Sequence, residues 1–317
     1  MIIALSVTAA FFSLMHGLNT GASLLAMSLN IRGLNLGGAL TIMTLGVAIA
    51  PFLFGWGVAN TLAHDLVPFG GEQGPRGMLV AVLVTIAVIL LLSWARVPSS
   101  LTIALVGAIA GYGFVAIGIV DWGAIAKVLV VMFIAPIASG FIAYLISRLL
   151  LPLLPLGSVR KYLETGHLIA FALLSLAYGS NDAQKMLAVA MIALGIGGTA
   201  GITELWWVIV ICALLFGLGS RLGVARMSKT ISTGVLPAAP TDMVVTEVST
   251  SVAMLVSTGI GSPVGLAQTM SGSLIGAGLS QGYGRIRWQE VSKILIAWLV
   301  TLPVTFGLAS LIGVMAQ

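Results

Sequence analysis

The sequence predicts an all-α integral membrane protein with about ten transmembrane segments. Of its 317 residues, 59% are hydrophobic and 7% are charged, and the mean hydropathy is +1.14. A soluble globular chain would have about 25% charged residues. Apolar runs of about 18 to 31 residues, long enough to cross a bilayer as helices, follow one another along the chain. These observations exclude a soluble globular protein.

The predicted segments are separated by charged or Gly/Pro-rich breaks. They cover residues 2–30, 38–63, 77–95, 98–118, 123–147, 166–196, 203–221, 241–259, 263–280 and 289–315. The runs at 98–118 and 263–280 are short, start with proline and are rich in glycine and hydroxyl groups. Each of these two is therefore expected either to span the membrane or to form a re-entrant hairpin.

The distribution of basic residues predicts the orientation, because positively charged loops stay in the cytoplasm. With the N-terminus outside, eleven of the 14 basic residues fall at the inner side: Arg32, Arg96, Arg148, Arg160, Lys161, Arg221, Arg226, Lys229, Arg285, Arg287 and Lys293. The inside bias and attraction to anionic lipid account for the net charge of +5. We therefore expect a multi-pass protein of the plasma membrane with no nucleic-acid partner.

The chain also repeats itself. Residues 17–23 (GLNTGAS) correspond to residues 179–185 (GSNDAQK), and Pro98, Gly107 and Gly111 recur as Pro263, Gly272 and Gly276. Both motif pairs have nearly the same offset, which predicts two repeats at 1–150 and 160–317. Because each repeat has five segments, an odd number, the second must enter the membrane from the opposite side. Inverted repeats of this kind are typical of secondary transporters.

Charged residues inside the predicted segments indicate function, because charge is costly in hydrocarbon. Asp182 and Lys185 lie in the run 166–196, and Glu247 lies in the run 241–259. Transporters with inverted repeats commonly bind substrate between two broken helices near the membrane midplane. Both Gly-x-Asn motifs lie mid-run, where glycine lets the backbone leave helical geometry. The alternative role for Gly17 and Gly179 is close helix packing.

These residues resemble the PiT family of inorganic phosphate transporters. The string GSNDAQK at 179–185 is similar to the second signature of that family, which interrupts a helix. Residues 237–247, 261–264 and 272–278 resemble its second proline-valine hairpin region, and residues from Arg287 to Pro303 resemble its C-terminal helix. The resemblance covers most of the second half of the chain.

The resemblance implies one site, shared by the two motifs, for a tetrahedral oxyanion and coupled cations. Asn19 and Asn181 would be paired amides, with Gly179, Ser180 and neighbouring backbone N–H groups facing the anion. Ser100 and Thr102 approximate the hydroxyl run of the first hairpin. Lys185 would either assist the anion or pair with Asp182. Homodimerisation is a further expectation from the family.

Two departures from the family pattern concern the coupling ion and the substrate. Thr20 and Ser23 stand where the family has Asp and Asn, and 265–267 lacks the hydroxyl run, with Gln268 and Thr269 nearby. Sodium prefers hard oxygen ligands, so two symmetric sodium sites are not expected, although Asp182 could hold one. Sulfate has no proton to donate, so the loss of a carboxylate at Thr20 favours sulfate. The string NTGAS at 19–23 is also similar to the sulfate permease branch of the family.

The sequence therefore predicts a cation-coupled symporter that works by alternating access, with phosphate as the family default and proton-coupled sulfate transport as the alternative. Asp182 and Glu247 are the expected coupling residues, since a buried carboxyl group takes up a proton more readily than an exposed one. The coupling ion is sodium or a proton, and no other cofactor is expected. A channel would need a continuous polar pore. An enzyme would need a nucleophile, metal cluster or paired acids. The sequence contains neither the pattern of a channel nor that of an enzyme.

Overall fold

The computed structural model describes residues 2–29, 33–69, 73–94, 100–150, 152, 159–195, 202–231 and 238–315. Over these ranges the chain is helical and contains no strand. Pro98 of the repeat and Arg32 and Arg96 of the predicted inner side lie outside these ranges. The all-α prediction is confirmed for the described part of the chain.

The described part of the first half contains seven helices. They are α1 (Ile2–His16), α2 (Ala22–Ser28), α3 (Leu36–Phe54), α4 (Gly57–Asn60), α5 (Gln73–Trp94), α6 (Leu101–Tyr112) and α7 (Trp122–Leu145). Four wider, π-helical turns extend α1, α4, α6 and α7 at Gly17–Gly21, Thr61–Asp65, Gly113–Ile117 and Ile146–Leu150.

Six helices lie within the described residues of the second half. They are α8 (Val159–Ser180), α9 (Gln184–Ala193), α10 (Ile202–Ile231), α11 (Pro240–Gly259), α12 (Leu266–Gln281) and α13 (Trp288–Met315). A short 3₁₀ turn at Tyr283–Arg285 lies between α12 and α13.

Among the described residues, six helical stretches are long and apolar enough to cross a membrane: Ile2–Ser28, Leu36–Phe54, Gln73–Trp94, Trp122–Leu150, Leu205–Ala225 and Trp288–Met315. The stretch Leu101–Ile117 is apolar but shorter. The count of ten segments stays a prediction. The run 38–63 is not a single helix, because α3 ends at Phe54 and Gly55 takes a φ of 71°. That left-handed region is accessible to glycine at little cost.

Two helix pairs form the tightest described seams of the bundle, and glycine makes both possible. α6 packs on α13, where a Cβ at Gly111 would lie 2.8 Å from the carbonyl carbon of Phe306. α7 packs on α12, where a Cβ at Gly276 would lie 2.6 Å from the carbonyl carbon of Gly140. Small residues at such seams let two backbones approach closely.

The motif glycines also serve packing. A Cβ at Gly17 would lie 2.9 Å from the backbone nitrogen of Ser220 on α10, and one at Gly179 would lie 2.6 Å from the carbonyl oxygen of Gly46 on α3. The alternative interpretation of these glycines as packing residues is therefore confirmed. Each motif helix is held against a helix of the other half of the chain.

Candidate functional site

The second motif interrupts a helix, as the sequence predicts. α8 ends at Ser180 and α9 begins at Gln184, so Asn181, Asp182 and Ala183 form the break. Their side chains are buried, at 3% exposure or less. The first motif differs, because Gly17–Gly21 widens the helix to a π-helical turn with helical backbone angles at both ends. The expectation of a break there is wrong: the backbone N–H of Ala22 still donates to Asn19 and Gly17 carbonyls.

Asn181 ties the break to the chain that leads into α12. Its Nδ2 donates to Thr258 Oγ1 at 3.2 Å and to the Ser262 carbonyl at 3.0 Å. Its Oδ1 accepts a hydrogen bond from the Val264 backbone N–H at 2.8 Å. Ser180 Oγ lies 3.1 Å from Thr258 Oγ1 as well. All of these partners are buried, so the amide fixes the path of residues 258–264 around the break.

Asp182 and Lys185 form an ion pair at the centre of the site. The Lys185 ammonium donates to Asp182 Oδ1 and also to the Val264 carbonyl at 3.0 Å. The second carboxylate oxygen accepts the Leu266 backbone N–H at 3.3 Å, and Thr102 Oγ1 lies 3.4 Å from Oδ1. Partnership with a fixed cation reduces the cost of burying the carboxylate. Of the two roles predicted for Lys185, pairing with Asp182 is the one that the structure contains.

Two helix N-termini converge on this pair. Ser100 caps α6 by accepting the Ile103 backbone N–H, and α12 begins after Gly265. Ser100 Oγ donates to Gln268 Oε1 at 3.1 Å, which joins the two helix starts. Thr269 uses its hydroxyl on the Gly265 carbonyl within its own first turn. The N-terminus of a helix carries a partial positive charge and free N–H groups, so this point favours an anion.

Several buried polar atoms around the break have no hydrogen-bond partner within the described ranges. They are Gln268 Nε2, Ser262 Oγ, the Tyr178 hydroxyl and both ring nitrogens of His16. Buried polar groups are normally hydrogen-bonded in native proteins. The amide and the two hydroxyl groups are donors that a bound oxyanion could satisfy.

The first motif does not meet the second through its amide. Asn19, Thr20 and Ser23 are half-buried, and Ser23 Oγ donates to the Asn19 carbonyl. In the described chain the side chains of Asn19 and Thr20 have no hydrogen bond. The first helix reaches the site through His16, whose Nε2 lies 4.0 Å from Asp182 Oδ2. The predicted role of Asn19 and Asn181 as paired amides that face one anion stays a prediction.

Glu247 belongs to a second buried cluster. It accepts a hydrogen bond from Ser28 Oγ at 2.8 Å, and its other oxygen lies 2.9 Å from His167 Nδ1. Eleven residues of α11 separate Glu247 from Thr258, which corresponds to ~16 Å along the helix. The structure therefore does not bring the two predicted coupling carboxylates together.

The sequence favours His16 as a packed or helix-capping residue over a proton relay, and sequence reasoning missed Gln184, Thr258 and Ser262. Gln184 lies within the motif that was singled out, but its amide is used in packing: it bonds to Gly55, Ala59 and Ser180 backbone groups. A signal for Thr258 exists in the run of hydroxyl residues on α11, which is unusual for a membrane helix. Nothing in the sequence places Ser262 or His16 beside Asp182.

Comparison with known proteins identifies the family. The model of the "Phosphate transporter family" matches residues 16–154 and 156–309. The chain belongs to the phosphate transporter family. This confirms the resemblance to the PiT family, and it means that the chain is a membrane transport protein and not an enzyme.

Two relatives of this phosphate transporter family member match nearly its whole length. A "Probable low-affinity inorganic phosphate transporter" of Bacillus subtilis is 28% identical, with 98% of this chain and 95% of that protein covered. One with the same description from Mycobacterium leprae is 30% identical, with 99% and 79% covered. The solved structure of "The sodium-dependent phosphate transporter" matches with a TM-score of 0.82 at 17% identity, over 99% of this chain and 98% of that one. That structure supports the fold.

Proposed function

We propose that this protein is a cation-coupled symporter that carries inorganic phosphate by alternating access. The observation that carries the proposal is the convergence of the α8–α9 break with the starts of α6 and α12. Two helix N-termini and buried neutral donors can hold a multiply charged oxyanion without a free basic side chain. The relatives described as phosphate transporters support the same substrate.

The acceptor groups of the site favour phosphate over sulfate. Phosphate near neutral pH carries one or two protons and must donate hydrogen bonds, whereas sulfate has none to donate. Asp182 and Gln268 supply carboxylate and amide oxygens beside the two helix starts. We propose a phosphate ion among the starts of α6 and α12 and the residues Ser100, Thr102, Ser180, Asn181 and Gln268.

The proposed coupling groups are Asp182 and Glu247, and the proposed coupling ion is sodium or a proton. Asp182 lies at the substrate site, where a change in its partners would be felt directly by a bound anion. Glu247, with His167 and Ser28, bridges α2, α8 and α11. Cation binding at Asp182 would change the substrate site, and cation binding at Glu247 would change the packing of the helices around that site.

We further propose that residues 1–150 and 160–317 are inverted repeats. The reciprocal packing of α6 on α13 and of α7 on α12 supports this. The equivalent glycines, Gly107 and Gly111 in one half and Gly272 and Gly276 in the other, line these two seams. A homodimer in the plasma membrane is part of the same proposal.

Uptake into proteoliposomes tests the proposal. Labelled phosphate and labelled sulfate are supplied separately, with a sodium gradient, a proton gradient or neither. We expect saturable phosphate uptake that one of the two gradients accelerates, with sulfate carried poorly. Faster uptake of sulfate than of phosphate would show that the substrate is sulfate and not phosphate. Uptake that follows only the concentration gradient of the anion and does not saturate would indicate a channel.

A further inference from the structure

The Lys185 side chain is fully buried, and its ammonium group lies among three oxygen atoms. One is the Asp182 carboxylate Oδ1, the second is the Asp182 carbonyl at 3.3 Å, and the third is the Val264 carbonyl at 3.0 Å. An ammonium group has three N–H donors. All three can therefore be used by this set of oxygens.

The same set of oxygens is suited to a bare monovalent cation. Hard cations take carboxylate and main-chain carbonyl oxygens as ligands, and this site offers one carboxylate and two carbonyls. It also lies at the non-helical break that follows the C-terminus of α8, and transporters coordinate coupling cations with unwound carbonyls and half-helix C-terminal ends. The ammonium group thus stands at a position with the chemistry of a sodium site.

We propose that the Lys185 ammonium is a tethered cation that fills a sodium-type site at Asp182, so that phosphate binding here does not require sodium. This rests on the proposed function for its meaning in transport. The charge that neutralises Asp182 then stays with the protein throughout the cycle. Any coupling ion that moves with phosphate must act elsewhere, or as a proton on the groups around Asp182.

An ordinary ion pair makes a different prediction. If Lys185 serves only to neutralise Asp182, its removal leaves an unpaired carboxylate in a buried site. No particular cation should then bind in place of the ammonium group. If it fills a cation site, its removal should create a site for sodium. The two accounts differ in a binding measurement that does not depend on transport.

The experiment measures binding of labelled sodium to purified protein, with potassium and choline as competitors. The variants are Lys185→Ala and Lys185→Met, the second of which keeps most of the side-chain volume. Lys293→Ala is the matched control, because Lys293 also pairs with an acidic residue three positions away, Glu290, but on an exposed surface. Size-exclusion chromatography establishes which variants keep the fold.

We expect the natural protein and Lys293→Ala to show no saturable sodium binding that depends on Asp182. Lys185→Ala or Lys185→Met should bind about one sodium ion per chain, with at least about tenfold preference over potassium. Phosphate uptake by the same variant should become at least about tenfold faster in sodium than in choline.

Two results would overturn the inference. One is saturable sodium binding to the natural protein that disappears in Asp182→Asn, which can be measured even if both Lys185 variants misfold. The other is a folded Lys185 variant that binds no more sodium than Lys293→Ala. Sodium binding is measured without transport. A protein that fails to carry phosphate would therefore refute the proposed function but would not change the sodium binding measured for the Lys185 variants.

Discussion

At the scale of single residues, Gln184 holds the broken helix to the first half of the chain. Its Oε1 accepts the Ala59 backbone N–H, and its Nε2 donates to the carbonyls of Gly55 and Ser180. The bonds to Gly55 and Ala59 span the break between α3 and α4. The position of the site thus depends on a side chain that need not touch the substrate.

Gln184→Ala should therefore destabilise the protein. It leaves the buried Ala59 N–H without its partner, which costs ~1–3 kcal/mol, and it removes two further hydrogen bonds, to the Gly55 and Ser180 carbonyls. We expect a loss of about 3 kcal/mol in the free energy of unfolding, measured by thermal or denaturant unfolding in detergent. Gln289→Ala, which truncates an exposed amide, is the control and should change little. Equal stability of the two variants would contradict the anchoring role.

The residues of the second motif could be predicted because charge inside an apolar run is conspicuous. The first motif gives no such signal. Thr20 and Ser23 carry no charge, and the resemblance alone assigned Asn19 a place beside Asn181. The contact between His16 and Asp182 depends on how α1 packs against α9. Composition and spacing do not specify that rotation.

At the scale of helices, glycine seams decide which elements lie side by side. The repeat of Gly107 and Gly111 by Gly272 and Gly276 is visible in the sequence, and in the structure both pairs face another backbone. The break in α3 at Gly55 is not visible, because the apolar run continues through it to residue 63. Hydropathy reports the length of an apolar run and not the φ of one residue within it.

Gly276→Val should disrupt the contact between α12 and α7. A side chain there would overlap the backbone of Gly140, which cannot move without shifting the whole of α7. Overpacking of this kind costs about 3 kcal/mol, so we expect low yield or a large fall in the unfolding temperature. Gly307→Val on α13 is the control, because no atom lies within 4 Å of a Cβ at that position. A Gly276 variant as stable as the Gly307 variant would contradict this packing.

The cluster of Glu247, His167 and Ser28 joins α2 of the first half to α8 and α11 of the second. Glu247→Gln keeps the shape of the side chain but removes its charge. Because the cluster lies ~16 Å along α11 from Thr258, we expect slower uptake, by about tenfold in kcat, with KM for phosphate within about twofold of the natural value. Uptake kinetics at saturating gradient would measure both. A raised KM with unchanged kcat would instead assign Glu247 to phosphate binding.

At the scale of the whole molecule, apolar residues remain exposed on the outer helices. Leu53, Ile137 and Leu299 are all more than half exposed, on α3, α7 and α13. Such a surface suits lipid. Membrane class and family could be predicted from composition and one motif, but the interleaving of the two halves follows from tertiary packing between segments far apart in the sequence.

The predicted orientation can be tested by cysteine labelling in intact cells. Cys212 is buried, so Cys212→Ala gives a cysteine-free background. On that background Ile119→Cys should react with a membrane-impermeant maleimide from outside, and Gly284→Cys should react only after permeabilisation. Both positions are exposed loop or turn residues. The reverse pattern would contradict the orientation inferred from the basic residues.

The central claim is that the α8–α9 break, together with the starts of α6 and α12, holds phosphate. Equilibrium binding of labelled phosphate to purified protein tests this most directly, with Asn181→Ala against Gln289→Ala as the matched pair of amide truncations. We predict saturable binding that Asn181→Ala weakens by about tenfold or more, with Gln289→Ala unchanged. Equal affinity for phosphate in a folded Asn181→Ala variant and in the natural protein would contradict the claim.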